Sequence, residues 1–297
     1  MSKGRNVRLL FSIAVHESTS SVYDLIQNIK YFCVEPIIIL HVSKVSNLFL
    51  DINKFENVYI NDVSLITGFA DGTLTFVHKE NFFFAEKLKL NYEYFIPFGS
   101  NELFIKHGVE QYIDGTEKSY SPPPSENNYH YLISKQDKAV KTLIGDVFFK
   151  SAPEGTFYHK KLLTLFFNDQ YVKAFFEKNN WIYKTFFGYR VRVISCLISK
   201  VFYKLKVTVL LPSIIARYSY ASEEIIFPSI NSSLNCKDKF CFIPWERESI
   251  KVSISDIEDI LNTCDKYFSV KRVERDFNDS VRSYIRHNLG NNYLIDG

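Results

Sequence analysis

The chain has 297 residues, 46% of them apolar and 23% charged, with a formal net charge of +3. That balance excludes a disordered chain, and 11 Gly with 9 Pro exclude a collagen-like or Pro/Gly-rich one. So weak a positive charge gives no basis for a nucleic-acid partner.

The predicted elements begin with Val7–Val15 (VRLLFSIAV), a short apolar run that reads as a buried strand. Ser18–Ser21 offer caps for a helix over Val22–Phe32, with Leu25, Ile26 and Ile29 on its inner face. Ile37–Val42 (IIILHV) and Val58–Ile60 read as further strands, Phe76–Leu88 as a helix, and Tyr92–Phe98 as a strand. This rhythm is that of an α/β sheet with parallel pairing. Ligands on such sheets sit outside the carboxyl ends of the strands, which directs attention to His16–Glu17, His41–Ser43 and Gly99–Glu102.

The polar stretch 114–138 holds Pro122, Pro123 and Pro124 and reads as a long mobile loop, either a lid or a surface insertion. From Lys178 to Ser222 there is no acidic residue, and basic side chains interleave with Trp181, Phe186, Phe187 and Phe202. Two interpretations stand for 178–222: strands with one solvated basic face and one buried aromatic face, or a surface suited to peripheral membrane contact. Five cysteines, odd in number and mostly scattered, argue against a disulfide framework, and Cys236 with Cys241 lacks a second Cys or His pair for zinc. With no leader and no run of 18 uncharged apolar residues, the expectation is a cytoplasmic protein, soluble or peripheral at the inner membrane face.

Two features could carry chemistry. In YASEEIIFPSI, Glu223 and Glu224 stand before an apolar run; a carboxylate there could be desolvated enough to act as a general base, or could favour a helix N-terminus. In FSVKRVERDFNDSVRSYIR, the basic residues Lys271, Arg272, Arg275, Arg282 and Arg286 suit a diphosphate, or else belong to a helix surface laced with Glu274, Asp276 and Asp279. No GxGxxG, P-loop, GxSxG, HExxH or CxxC motif occurs, and no Asp-x-Asp follows a predicted strand, so the sequence gives no support for a catalytic metal.

In order, these segments resemble glycosyltransferase family 14, the core-2/I-branching N-acetylglucosaminyltransferases and peptide O-xylosyltransferases. The resemblance runs through FSIAVH (11–16), ILHVS (39–43), YEYFIPFGSNELFI (92–105), EGTFY (154–158), ASEEIIFPSI (221–230), Ile243–Pro244–Trp245 and FSVKR (268–272). The family's Asp after His-Val falls on Ser43, and the Asp of its "L-S-x-x-D" element on Glu102.

The resemblance implies a GT-A-like α/β fold with a central, mostly parallel sheet in one domain over 1–297. It implies an inverting, metal-independent transferase with no cofactor beyond a nucleotide-sugar donor, UDP-linked, carrying a GlcNAc- or xylose-like sugar. The acceptor would be a hydroxyl of a glycan or lipid-linked glycan in surface polysaccharide biosynthesis. It puts the catalytic base on Glu224, the donor diphosphate on Lys271 with Arg272 or Arg275, and the nucleotide pocket at His16, His41 and Ser43. Acceptor and sugar contacts fall on Glu102, Tyr158, Glu223 and Trp245. Without a metal, fixed cations must stabilise the leaving diphosphate. The alternatives are a binding module of the same fold without catalysis and a membrane-peripheral scaffold.

Overall fold

The computed structural model describes residues 7–120, 128–145, 153–230, 237–244 and 251–293. The N-terminal half runs β1 (Leu9–Val15), α1 (Thr19–Phe32), β2 (Ile37–Val42), β3 (Val58–Ile60), α2 (Thr73–Lys87), β4 (Tyr94–Phe98), β5 (Glu102–Phe104), α3 (Val109–Ile113), β6 (Lys118–Tyr120), α4 (Tyr129–Ser134) and α5 (Lys138–Ile144). The remainder runs β7 (Tyr158–His159), α6 (Lys160–Asn168), α7 (Gln170–Lys184), α8 (Phe186–Lys204), a 3₁₀ turn (Thr208–Leu210), α9 (Ser213–Arg217), α10 (Glu223–Ser229), β8 (Asp238–Phe240), α11 (Ile254–Thr263), β9 (Ser269–Lys271) and α12 (Ser280–Tyr284), which continues as a π-turn over Ile285–Leu289.

Seven strands form one sheet in the order β3-β2-β1-β4-β7-β6-β8. The β3-β2-β1-β4 half is parallel throughout, β7 is antiparallel to both its neighbours, and β6 with β8 is parallel again. The sheet is mixed and mostly parallel, as the sequence leads one to expect. A separate antiparallel pair, β5 with β9, sets Glu102 opposite Lys271.

Both faces of the sheet are covered, so its inner strands are almost uniformly apolar. On β1, Leu9, Phe11, Ile13 and Val15 join one core, beneath α1, while Leu10 joins the other, beneath α2 and α10. Ser18 caps α1, its hydroxyl accepting from the Ser21 N–H at 3.3 Å. Leu25, Ile26 and Ile29 are buried as the sequence predicts, and so are Asp24 and Asn28. Asn28 bonds both the N–H and the carbonyl of Phe104 at 2.8 and 2.9 Å, locking α1 to β5. Asp24 receives Arg282 at 2.7 Å. Both partners are buried, so Arg282, a sequence candidate for phosphate, is instead a core brace between α1 and α12.

Two segments differ from expectation. The stretch 114–138 contains β6 and α4, whose cap Asn128 accepts from the His130 N–H at 2.9 Å; residues 121–127 of the predicted loop lie outside the described residues. The stretch 178–222 is helical, taking in the end of α7, all of α8, and α9, where strands were the main expectation. Among the described residues no helix is long and apolar enough to cross a membrane.

Candidate functional site

The parallel strands deliver their carboxyl ends to one edge of the sheet. His16 and Glu17 follow β1 directly, and β4 turns through Gly99 and Ser100 into β5. Glu17 is almost closed off from solvent. Its carboxylate accepts from Ser100 Oγ and from the His16 N–H at 2.9 Å, and it pairs with Arg275 at 2.7 Å. Burial opposes its ionisation, but these hydrogen bonds and the neighbouring positive charges prevail and hold the acid below its ordinary range. His16 is exposed, 3.7 Å from the same carboxylate. Arg275 is half exposed, so this corner presents a cation and an imidazole to solvent.

Lys271, at the end of β9, forms the centre of the site. Its ammonium pairs with Glu154 at 2.9 Å, and each side chain is less than one-fifth exposed. Burial pushes Glu154 up, yet the charge and hydrogen bond of Lys271 bring it net below its ordinary value. A Cβ on Gly99 would come within 3.3 Å of Glu154 Cγ, so the β4–β5 turn packs directly on this side chain. Gly155 follows at φ +68°, where an added Cβ would meet Ile243 at 2.6 Å; only glycine fits this bend.

The charge of Glu154 reaches two further carboxyls. Glu102 is fully buried, its oxygens accepting from Ser269 Oγ at 2.6 Å and the Gly99 N–H at 3.3 Å. Burial, reinforced by Glu154, pushes it up to about 8. Glu223 opens α10 and is likewise buried; burial first, then the charges of Glu224, Glu154 and Asp71, hold it well above the usual carboxylate range. Its Oε2 has no hydrogen-bond partner among the described residues. Glu224, one residue on, is only partly buried. Glu154 thus bonds Lys271, and its charge is also felt at Glu223. Chemically, Glu223 is a neutral carboxyl beside the more accessible Glu224, and Lys271 is a cation held by Glu154.

The other sequence candidates are placed differently. Glu102 is a core carboxyl bracing β5 to β9 and has no access to a sugar. Tyr158 is fully buried on β7 with its ring against Phe227, so it offers no face for stacking. His41 is buried and accepts from the Leu65 N–H at 2.9 Å; burial lowers it to about 4, and it stays neutral. Ser43 is also buried, its Oγ accepting from the Thr67 hydroxyl at 2.8 Å. Both residues close the loop after β2 onto 65–67 rather than facing a pocket. Arg272 has φ +68° and a buried Nε that finds no acceptor among the described residues. Trp245 lies outside the described residues.

Glu154 and His78 were not singled out from sequence. His78 is buried against Ser12 at 2.8 Å, lowered to about 3 by burial despite the opposing charge of Glu154. Among the described residues no group of three or more His, Cys, Asp or Glu is arranged to hold a metal ion.

No protein-family model matches the chain, and no curated protein matches it. Among solved structures it is similar to a galactosyltransferase, LgtC, in complex with donor and acceptor sugar analogs. The identity is 10%, the TM-score 0.41, and the match covers 96% of this chain and 95% of that one.

Proposed function

We propose that the chain is a nucleotide-sugar glycosyltransferase. It moves a GlcNAc- or xylose-like sugar from a UDP-linked donor to a hydroxyl of a glycan or lipid-linked glycan, with inversion and without a metal, in the manner of the family 14 enzymes it resembles. The observation that supports this most is that Glu154 bonds Lys271 while its charge also bears on Glu223, the neighbour of Glu224.

In this mechanism Glu224 takes the proton of the acceptor hydroxyl as that oxygen attacks the anomeric carbon. The bond from that carbon to the donor phosphate oxygen breaks on the opposite face, and the nucleoside diphosphate leaves with the electron pair. Lys271 stabilises the developing charge, with Arg272 and Arg275 beside it. Glu154 holds the ammonium in place until a diphosphate oxygen shares it. Glu223, kept protonated by its surroundings, leaves the pair with one negative charge and directs it to Glu224.

Ser43 motivates a second reading, a binding module without catalysis. Its hydroxyl is already engaged with Thr67 at the position where the resembling family carries an Asp. Transfer or donor hydrolysis above background discriminates the two.

A thermal-shift screen over nucleotide sugars, with and without EDTA, tests donor binding. A UDP-sugar is expected to raise the melting temperature equally in both conditions, and Glu224→Gln to keep that shift while abolishing turnover. No shift with any nucleotide sugar would overturn the proposal. Turnover at wild-type level in Glu224→Gln would remove the assignment of the base.

A further inference from the structure

Helix α8 is built inside out for a protein in water. An amphipathic surface helix turns its apolar stripe to the core and its polar stripe to solvent. The residues of α8 buried against the protein are Gly188, Arg192, Ser195 and Ser199. Three of these inward positions make specific contacts: Gly188 lies so close to the Ile182 backbone that a Cβ would collide with it at 2.2 Å. Arg192 bonds Asp71 at 2.7 Å together with the carbonyls of Ile66 and Ile182. Ser199 bonds Ser219 at 2.6 Å. Val191, Ile198 and Phe202 pack partly against the core, but most of the large apolar side chains point outward. Phe187, Ile194, Leu197 and Val201 recur at helical spacing and are each 53–68% exposed, and Val209 and Leu210 extend the strip beyond the helix at 72% and 68%. Scattered exposed apolar residues are ordinary, whereas a continuous strip marks an interaction surface.

Charge identifies what covers it. Arg190, Lys200, Lys204 and Lys206 are exposed in and just after the helix, and no acidic residue occurs between Lys178 and Ser222. A second copy paired about a two-fold axis would bring these cations against one another. Protein–protein interfaces are depleted in lysine, whereas helices that lie in the plane of a bilayer carry apolar side chains on one face and Lys or Arg beside them. Trp181 and Phe187, stacked at 6.3 Å and both about half or more exposed, place aromatic rings where membrane-bound proteins carry them, at headgroup level. Arg192, buried and ion-paired, fixes α8 to the body of the protein, so the helix lies on a surface rather than crossing it.

We infer that the outward face of α8, with the 3₁₀ turn after it, docks the protein in-plane on an anionic lipid bilayer. The inference goes beyond the transferase reading, and its test requires no turnover.

The test is flotation of the full chain with phosphatidylcholine vesicles, with and without phosphatidylglycerol. Binding is expected on the anionic vesicles, at least about tenfold stronger than on neutral ones and reduced by salt. Leu197→Glu with Val201→Glu is expected to abolish it, and Lys200→Gln with Lys204→Gln to weaken it about tenfold or more. Because these side chains are exposed, the melting temperature should not move. Absence of flotation would overturn the inference, as would equal binding to neutral vesicles or unchanged binding by the Glu variants. A concentration-dependent dimer lost in the Glu variants, in a protein that does not float, would overturn it in favour of a self-interface.

Discussion

Replacing Glu102 by Gln tests whether this carboxyl belongs to the core, as the structure places it, or to the sugar site. Glu102 is fully buried and titrates at about 8, against an ordinary 4.5. Folding therefore retains a proton that the unfolded chain releases between those two values. The stability it contributes is complete below 4.5 and is lost as the pH rises through the folded value near 8. At about 1.4 kcal/mol per pH unit for one proton, the loss reaches roughly 3 kcal/mol at neutral pH and roughly 4–5 kcal/mol by about pH 8. Glutamine keeps the shape of the neutral acid. Its carbonyl can accept from the Gly99 N–H, and its amide can donate to Ser269 Oγ, the groups that Glu102 engages now. The variant should be close to wild type near pH 5 and gain on it by roughly 3–4 kcal/mol towards pH 8. Urea unfolding at a series of pH values and constant ionic strength reads this difference directly. A difference that stays flat across the window would refute the argument, because it would mean that Glu102 ionises as freely in the folded protein as in the unfolded one.

Lys271→Met should abolish the stabilisation given by a UDP-sugar in thermal-shift assays. It should also cost about 1–3 kcal/mol by leaving Glu154 without its cation in a site less than one-fifth exposed, while Lys271→Arg restores part of both. Gly155→Ala should cost roughly 2–3 kcal/mol, since it combines a positive φ with a Cβ driven into Ile243. Calorimetry measures the loss, and because the strain displaces Glu154, donor binding should weaken with it.

The parallel half of the sheet was legible because strands buried on both faces appear as uninterrupted apolar runs. Ile37–Val42 and Val58–Ile60 fall where the sequence puts them, and Leu9–Val15 and Tyr94–Phe98 differ only at their starts. Helix α8 was not legible as a helix because RVRVISCLI alternates and is rich in β-branched residues, a pattern shared by a half-buried strand. Its stripe of large residues faces solvent, so the usual inference from apolar to buried misleads there. β6, with three residues, is too short to stand out against the polar stretch around it. Glu223 and Glu224 occupy the first turn of α10, the helix-terminus interpretation of the pair, and Glu223 is buried there. Tyr158 and Glu102 were assigned by order along the chain, which fixes neighbours in sequence but not the direction of a side chain across a sheet. Glu154 emerges only from a tertiary ion pair that no local pattern announces.

The two surfaces of interest are mechanically connected. Arg192 projects from the inner face of α8 to Asp71, which also accepts from the Thr73 N–H at 3.1 Å where α2 begins. Two residues on, the Thr75 hydroxyl meets the Ser222 hydroxyl at 2.6 Å, and Ser222 immediately precedes the glutamate pair. A buried ion pair of this kind is weak evidence for added stability, since removing two charges from water offsets most of their attraction. What it supplies is direction. An apolar side chain of similar volume could fill the space beside Asp71 but could not bind the Ile66 and Ile182 carbonyls at the same time. The charge of Asp71 also bears on Glu223, helping to hold that carboxyl in its protonated form. A helix seated on a bilayer would thus fix the orientation of the segment that presents Glu223 and Glu224.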